Sequence, residues 1–173
     1  MKPDLMIEQI MQITPQEFIN QGIKVIISDL DNTLVPWNKP ARNDQTLTQW
    51  IQALQAQNIQ VIIASNNSQQ RVQQAVAGLP VTIIARTCKP LPFVLRKYLR
   101  RQQLNKDEVV MVGDQLLTDI LAGNLAGLKT ILVRPLVATD AKKTRVNRFF
   151  ERPLMQLNHW LDPQLKWRKH FDE

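Results

Sequence analysis

Ile23-Lys24-Val25-Ile26-Ile27-Ser28-Asp29-Leu30-Asp31-Asn32-Thr33 changes character at one point. Its first six residues are a β-branched, nearly continuous apolar run, the pattern of a strand buried on both faces of a parallel sheet. Then two carboxylates, Asp29 and Asp31, arrive within three residues. Four similar runs follow: Ile59-Gln60-Val61-Ile62-Ile63-Ala64, Val81-Thr82-Ile83-Ile84-Ala85, Val109-Val110-Met111-Val112 and Thr130-Ile131-Leu132-Val133. Helical patterns lie between them. Residues 44–57 place Leu47, Trp50, Ile51 and Leu54 on one face, with Asn43 or Asp44 as cap. Residues 68–77 carry Val72, Ala75 and Val76 before Gly78; residues 91–102 and 118–125 supply the later crossovers. Thr14-Pro15-Gln16-Glu17 has the form of a helix start. The alternation predicts an α/β fold, a doubly wound parallel sheet of about five strands.

In open parallel sheets, ligands gather outside the carboxyl ends of the strands. Here the first run ends at Asp29 and Asp31, the second at Ser65, and the fourth at Gly113-Asp114, while the loop after the third supplies Lys89. Two carboxylates leaving a buried strand together repel each other and lose hydration. Magnesium relieves both: it takes oxygen ligands, commonly one or two carboxylates plus substrate phosphate. Asp114 can reach the same ion if the fourth run neighbours the first. An acidic surface turn is the competing reading of Asp29 and Asp31 alone. An EF-hand loop lacks its glycine and its twelfth-position glutamate.

The ordered segments Asp29-Leu30-Asp31-Asn32-Thr33-Leu34, Ser65, Lys89 and Gly113-Asp114-Gln115-Leu116-Leu117-Thr118-Asp119 resemble the four motifs of the haloacid dehalogenase superfamily. Within it, Asp31-Asn32-Thr33-Leu34-Val35-Pro36-Trp37, Ser65-Asn66-Asn67, Lys89-Pro90 and Gly113-Asp114-Gln115 resemble the YqeG-type phosphatases, a branch related to mitochondrial phosphatidylglycerophosphate phosphatases. The resemblance covers about residues 23–150. It implies a Rossmann-like core and a phosphatase that forms an aspartyl-phosphate with Mg2+. Asp29 would be the nucleophile and Asp31 the acid and base. Ser65 would donate to the phosphoryl group, and Lys89 would neutralise charge. Asp29, Asp114 and the Asp31 backbone carbonyl would hold the metal. Thr33, Asn66 and Asp119 have supporting places, Asp119 beside the metal or Lys89. Bland roles stand beside these: Ser65 as a helix cap, Lys89-Pro90 as an ordinary loop, Asp119 as a helix-dipole partner. Asn66 and Asn67 either shape the turn or touch substrate. Trp37 lines the mouth or packs, and Cys88 is a small buried or loop residue rather than a nucleophile.

Superfamily members often insert a cap domain. Residues 31–44 leave room for a flap alone, and residues 65–89 for one helix and one strand. No large cap is expected, so the site should be open and suited to a bulky or surface-presented substrate. Water exclusion would then come from an oligomer or from the tail.

The formal charge is +7, and 8 of the 22 basic residues lie in residues 136–173. That favours an anionic partner: a phosphorylated small-molecule or lipid substrate, an anionic membrane or nucleic acid. Nucleic acid has charge alone in its favour, with no RNA-binding aromatic motif. Residues 1–135 are expected to form the core with an N-terminal helical segment. Residues 136–173 would be a basic, aromatic helical extension of the same domain. There Val146, Phe149 and Phe150 form one stripe among Lys142, Lys143, Arg145, Arg148 and Arg152. Pro153 is expected to break the helix before a second stripe of Leu154, Leu157, Trp160 and Leu161. The tail either docks on the core with its charges solvated or lies on anionic lipid, and the two are compatible. Arg145, Asn147-Arg148 and Glu151 resemble a further YqeG-type segment, which admits substrate or subunit contact there. His159 and His170 have no ligand-spaced partners.

The N-terminus does not look like a signal peptide, and Cys88 has no partner for a disulfide. A cytoplasmic protein, peripheral on the inner membrane face if the tail binds lipid, is the expectation. Two other functions fit parts of the pattern. A soluble sugar phosphate or nucleotide could be the substrate of the same chemistry. A receiver-like phosphoacceptor domain also combines acids, magnesium and lysine, but its acceptor Asp ends a middle strand, where this chain offers Arg86 and Thr87.

Overall fold

The structure, a computed structural model, describes residues 2–37, 44–137 and 142–172, with backbone alone for 142–150 and 152. Its centre is a parallel sheet. In chain order the strands are β1 (Leu5–Ile7), β2 (Val25–Ser28), β3 (Gln60–Ala64), β4 (Thr82–Ile84), β5 (Val109–Gly113), β6 (Lys129–Val133) and β7 (Trp167–Arg168). Their spatial order is β4-β3-β2-β5-β6-β1-β7. The helices are α1 (Pro15–Asn20), α2 (Gln45–Ala56), α3 (Gln69–Ala75), α4 (Phe93–Arg101), α5 (Leu121–Ala126) and α6 (Lys142–Leu161).

Strand alternation divides the core into two faces. Ile26, Val61, Ile63, Val110 and Val112 pack with Phe18 of α1, with Trp50, Ile51 and Leu54 of α2, and with Val72 of α3. Their neighbours Val25, Ile27, Ile62, Val109 and Met111 pack with Leu95 and Leu99 of α4 and with Ala122 and Ala126 of α5. A strand that must satisfy both faces has no polar position to spare, which explains the unbroken apolar runs. Thr14 and Glu17 form the expected reciprocal cap at the start of α1. Asp44 caps α2 by accepting from the Leu47 N–H at 2.9 Å; Asn43 lies outside the described residues. No segment between β2 and α2 or between β3 and β4 is long enough for a large cap.

Three expectations need correction. The sheet has seven strands, not about five, because the N-terminal segment expected to be helical also supplies β1, and the tail supplies β7. β1 is wedged between β6 and β7, with Leu5 opposite Ile131 and Met6 opposite Trp167. Pro153 does not break α6: the helix runs through it. An internal proline costs roughly 3 kcal/mol. Against that cost, Leu154 and Met155 pack on the cluster of Met6, Leu116, Ile120, Leu132 and Leu165. Residues 118–125 are not one α-helix but a π-turn over Leu116–Ile120 leading into α5.

The stripe after Pro153 divides. Leu154 is partly buried, while Leu157, Trp160 and Leu161 are exposed. Phe171 packs edge-on against Phe18 with ring centroids 5.4 Å apart. The basic and aromatic side chains expected over residues 142–150 and at Arg152 lie outside the described residues. Among the described residues, no helix is long and apolar enough to cross a membrane.

Candidate active site

β2 and β5 are neighbours, with Ser28 opposite Val112, so the residues that leave their carboxyl ends emerge side by side. Asp29 and Asp114 are thereby brought together, as the sequence predicts. The chain turns sharply after Asp29. The Thr33, Leu34 and Val35 N–H groups all point to the Leu30 carbonyl, and Asn32 takes the left-handed backbone that Asn tolerates better than most residues. Thr33 donates to Asp114 Oδ1 at 3.2 Å, tying this turn to β5.

Lys89 is the centre of the arrangement. Its side chain is 2% exposed, and its Nζ lies 2.7 Å from Asp29 Oδ1 and 2.7 Å from Asp119 Oδ1. Burial alone would depress Lys89, but Asp119 and then Asp29 outweigh it and hold the ammonium above the ordinary lysine value. Asp119, also buried, is pushed up to about 6 by desolvation that Lys89 only partly offsets, with Asp29 adding to the rise. The π-turn brings it there: the Ile120 N–H reaches the Gln115 carbonyl, and Asp119 Oδ2 accepts from the Gln115 N–H at 3.2 Å. Gly113 makes the approach possible. A Cβ at that position would stand 2.2 Å from the Asp119 Cβ. From the other side Glu151 of α6, itself buried, accepts from the Leu117 N–H at 2.9 Å, so the tail braces the turn that carries Asp119.

Asn66 and Asn67 have different partners. The Asn66 amide donates to the Lys89 carbonyl at 2.9 Å and accepts from the Lys89 N–H at 2.7 Å and the Thr87 hydroxyl at 3.0 Å. It holds a loop in which Arg86 and Cys88 both have left-handed φ, a conformation costing of order 1–3 kcal/mol per residue. Asn67 instead donates to Asp31 Oδ2 at 2.8 Å. We expect Asn66→Ala to lower the unfolding free energy by about 2–3 kcal/mol, because it strands two backbone groups of Lys89. Asn67→Ala should cost less than about 1 kcal/mol, because its partner Asp31 is partly exposed and keeps solvent. Urea unfolding of the two variants measures the difference; equal losses would contradict the clamp.

Ser65 is buried, and its hydroxyl accepts from the Asn67 N–H at 3.2 Å, leaving its own O–H to donate. The residue that caps α3 is Ser68, not Ser65. Asp31 lines the same cavity, but its carboxylate is turned to Asn67 and, at 3.4 Å, to Arg71 Nη2. Burial first and the charge of Asp29 second push the Asp31 carboxyl above the usual range, against a smaller pull from Arg71 and Asn67. The cavity, about 660 Å³, is also lined by Trp37, Leu117 and Pro90. Sequence reasoning passed over Arg71, and it left Asn66 undecided between shaping the turn and touching substrate.

The donor set fits a small divalent cation. Carboxylate oxygens of Asp29, Asp114 and Asp119, all buried, lie within 4.8 Å of one another. Lys89 balances one of these three charges, and buried anions left without a counter-charge are costly. The carboxylate of Asp31 is not part of this group, so its expected place at the metal rests on its backbone carbonyl.

Similarity to known proteins extends over most of the chain. The haloacid dehalogenase-like hydrolase family matches residues 26–88, and the HAD-hydrolase-like family matches residues 87–149. "Probable phosphatase YqeG" of Bacillus subtilis (strain 168) is 39% identical over 153 residues, 88% of each chain. The "Dihydroxyacetone phosphatase" of Corynebacterium glutamicum (strain R) is 33% identical over 85 residues, 49% of this chain and 30% of that protein. In fold, the chain resembles the crystal structure of an uncharacterized protein from Listeria monocytogenes serotype 4b. The TM-score is 0.52 at 18% identity, over 69% of this chain and 85% of the other. With a relative this similar along nearly its whole length, the chain belongs to the haloacid dehalogenase superfamily and, within it, to the YqeG-type phosphatases.

Proposed function

We propose that this phosphatase hydrolyses phosphomonoesters through an aspartyl-phosphate on Asp29, with Mg2+ as its metal. The observation that carries the reading is the buried Lys89 ammonium held between Asp29 and Asp119, with Asp114 alongside. A carboxylate oxygen of Asp29 attacks phosphorus, and the bond from phosphorus to the leaving oxygen breaks. Asp31, whose raised pKa favours the protonated form, gives its proton to that oxygen. Asp31 then takes a proton from water, which attacks the aspartyl-phosphate, releases phosphate and restores Asp29. Ser65 donates to the transferring group, and Lys89 neutralises charge on it. Asp29 and Asp114, with the Asp31 carbonyl, would hold the metal, and the Asp119 carboxylate lies beside the first two. When bound, Mg2+ supplies positive charge next to the phosphoryl oxygens.

Magnesium has a readout apart from turnover. Binding at about 100 times Kd adds roughly 2.7 kcal/mol of stability. If Asp119 joins the ligands it must ionise, and since burial pushes it up to about 6, the gain should then be larger at pH 7.5 than at pH 5. Thermal melts with and without magnesium at the two pH values measure this. Equal shifts would remove Asp119 from the metal site.

For the substrate, the leading candidate is phosphatidylglycerophosphate, in the synthesis of phosphatidylglycerol. The family branch and the absence of a large cap support it. So do the exposed Leu157, Trp160 and Leu161, followed in sequence by the basic Lys166, Arg168 and Lys169, which suit an anionic bilayer on the inner face. A soluble sugar phosphate or nucleotide is the alternative. Phosphate release with magnesium from phosphatidylglycerophosphate in mixed micelles, sugar phosphates and nucleotides tests both. No turnover of any of them contradicts the phosphatase chemistry, and no preference for the lipid removes the leading substrate.

A further inference from the structure

Among the described residues lining the cavity, two carry positive charge, Lys89 and Arg71. Lys89 is buried at its floor, held by Asp29 and Asp119. Arg71, on α3, differs in every respect. Its side chain is 54% exposed, and its contact is a single 3.4 Å approach of Nη2 to Asp31 Oδ1, while the other Asp31 oxygen is held by Asn67 at 2.8 Å. An exposed pair of this length is worth about 0–1 kcal/mol, so exchanging it for another anion costs little. A guanidinium also has a forked donor face that matches carboxylate and phosphate oxygens two at a time, which a single long contact leaves underused.

The location gives the contact its meaning, and here the argument rests on the phosphatase reading above. If Asp31 protonates the leaving oxygen, Arg71 stands on the leaving-group side. The remaining ionisable wall is acidic, from Asp29, Asp31, Asp114 and Asp119, and repels any anion outside the reach of Lys89 and the metal. We propose that Arg71 recognises the leaving group, and that the substrate is a phosphomonoester whose alcohol portion carries a second anionic group. That group takes Arg71 from Asp31 as the substrate seats. A carboxylate and a second phosphate share the needed chemistry.

Two matched pairs test this: phosphoglycolate against ethyl phosphate, and propane-1,3-diol bisphosphate against its monophosphate. Calorimetry with the full chain carrying Asp29→Asn, in magnesium, reads binding without turnover. We expect at least one doubly anionic member to bind about 10-fold or more tightly than its partner. Adding Arg71→Gln should bring that ratio down to about 1. In the chain with Asp29 intact, kcat/KM should show the same preference, and Arg71→Gln should reduce it mainly through KM. Whichever pair shows the larger ratio identifies carboxylate or phosphate as the second group. Equal binding within both pairs, or a ratio untouched by Arg71→Gln, overturns the inference even if all four compounds are hydrolysed. A preference in binding with no hydrolysis of any compound instead contradicts the phosphatase reading and leaves the subsite standing.

Discussion

Asp29→Asn should release phosphate at least about 10³-fold more slowly than the unaltered chain, with its fold intact. The substitution keeps the volume of the side chain and an oxygen that can still accept from Lys89. It removes the negative charge that makes the group a nucleophile. The structure also says why folding should survive. Lys89 retains Asp119 at 2.7 Å, and the crowded acids Asp29, Asp114 and Asp119 lose one mutual repulsion. Far-UV circular dichroism and a melting curve check the fold, and phosphate release checks the chemistry. Comparable turnover by the variant would sink the aspartyl-phosphate mechanism.

Lys89→Met should do damage of two kinds. Methionine nearly matches the length of lysine but leaves Asp29 and Asp119 buried without their cation. Breaking one side of a buried ion pair costs about 3–5 kcal/mol. Loss of the charge facing the phosphoryl group should cost about 10²–10³ in kcat. The pH dependence separates the two. The folded-state pKa of Asp119 is already raised to about 6, and the attraction of Lys89 is what keeps it from rising further. A carboxyl whose pKa is higher folded than unfolded binds its proton preferentially in the folded state. Its stabilising effect is therefore complete below the unfolded value and lost as pH rises through the folded one. Lys89→Met should thus be closer to the unaltered protein in stability at pH 5 than at pH 8. Adding Asp119→Asn should recover stability at pH 8 without recovering activity. Denaturation at the two pH values decides it, and a deficit independent of pH would contradict the account.

The extent to which this molecule can be read from its residues follows physical scale. β2, β3 and β5 are legible because both faces of each are buried, so nearly every position is apolar. β1 has three residues and β7 two, too few for any periodicity, and Trp167-Arg168 sits among charges. Pro153 reads as a helix stop because a missing N–H is a local fact, whereas the packing of Leu154 and Met155 that holds α6 together is not. In the site, Asp29, Ser65, Lys89 and Asp114 are legible because each follows the end of an apolar run. Asp119 stays ambiguous in one dimension: an acid near a helix start is an ordinary dipole partner, and only the π-turn and the missing side chain at Gly113 aim it at Lys89. Asn66 is undecided and Arg71 unnoticed for the same reason, since their partners lie 23 and 40 residues away.

The wedging of β1 between β6 and β7 fixes an order of events during synthesis. Residues 5–7 precede the other strands in the chain, yet Leu5 has no strand to join until Ile131 exists, and Met6 lacks its outer neighbour until Trp167 has left the ribosome. The half built from β2, β3, β4 and β5 can assemble while this happens, because its crossovers are local. Met6, which packs with Leu116, Ile120, Leu132 and Leu165 in the finished molecule, stays uncovered for most of that interval. β1 thus waits for both of its neighbours, and the sheet closes only when β7 pairs with it.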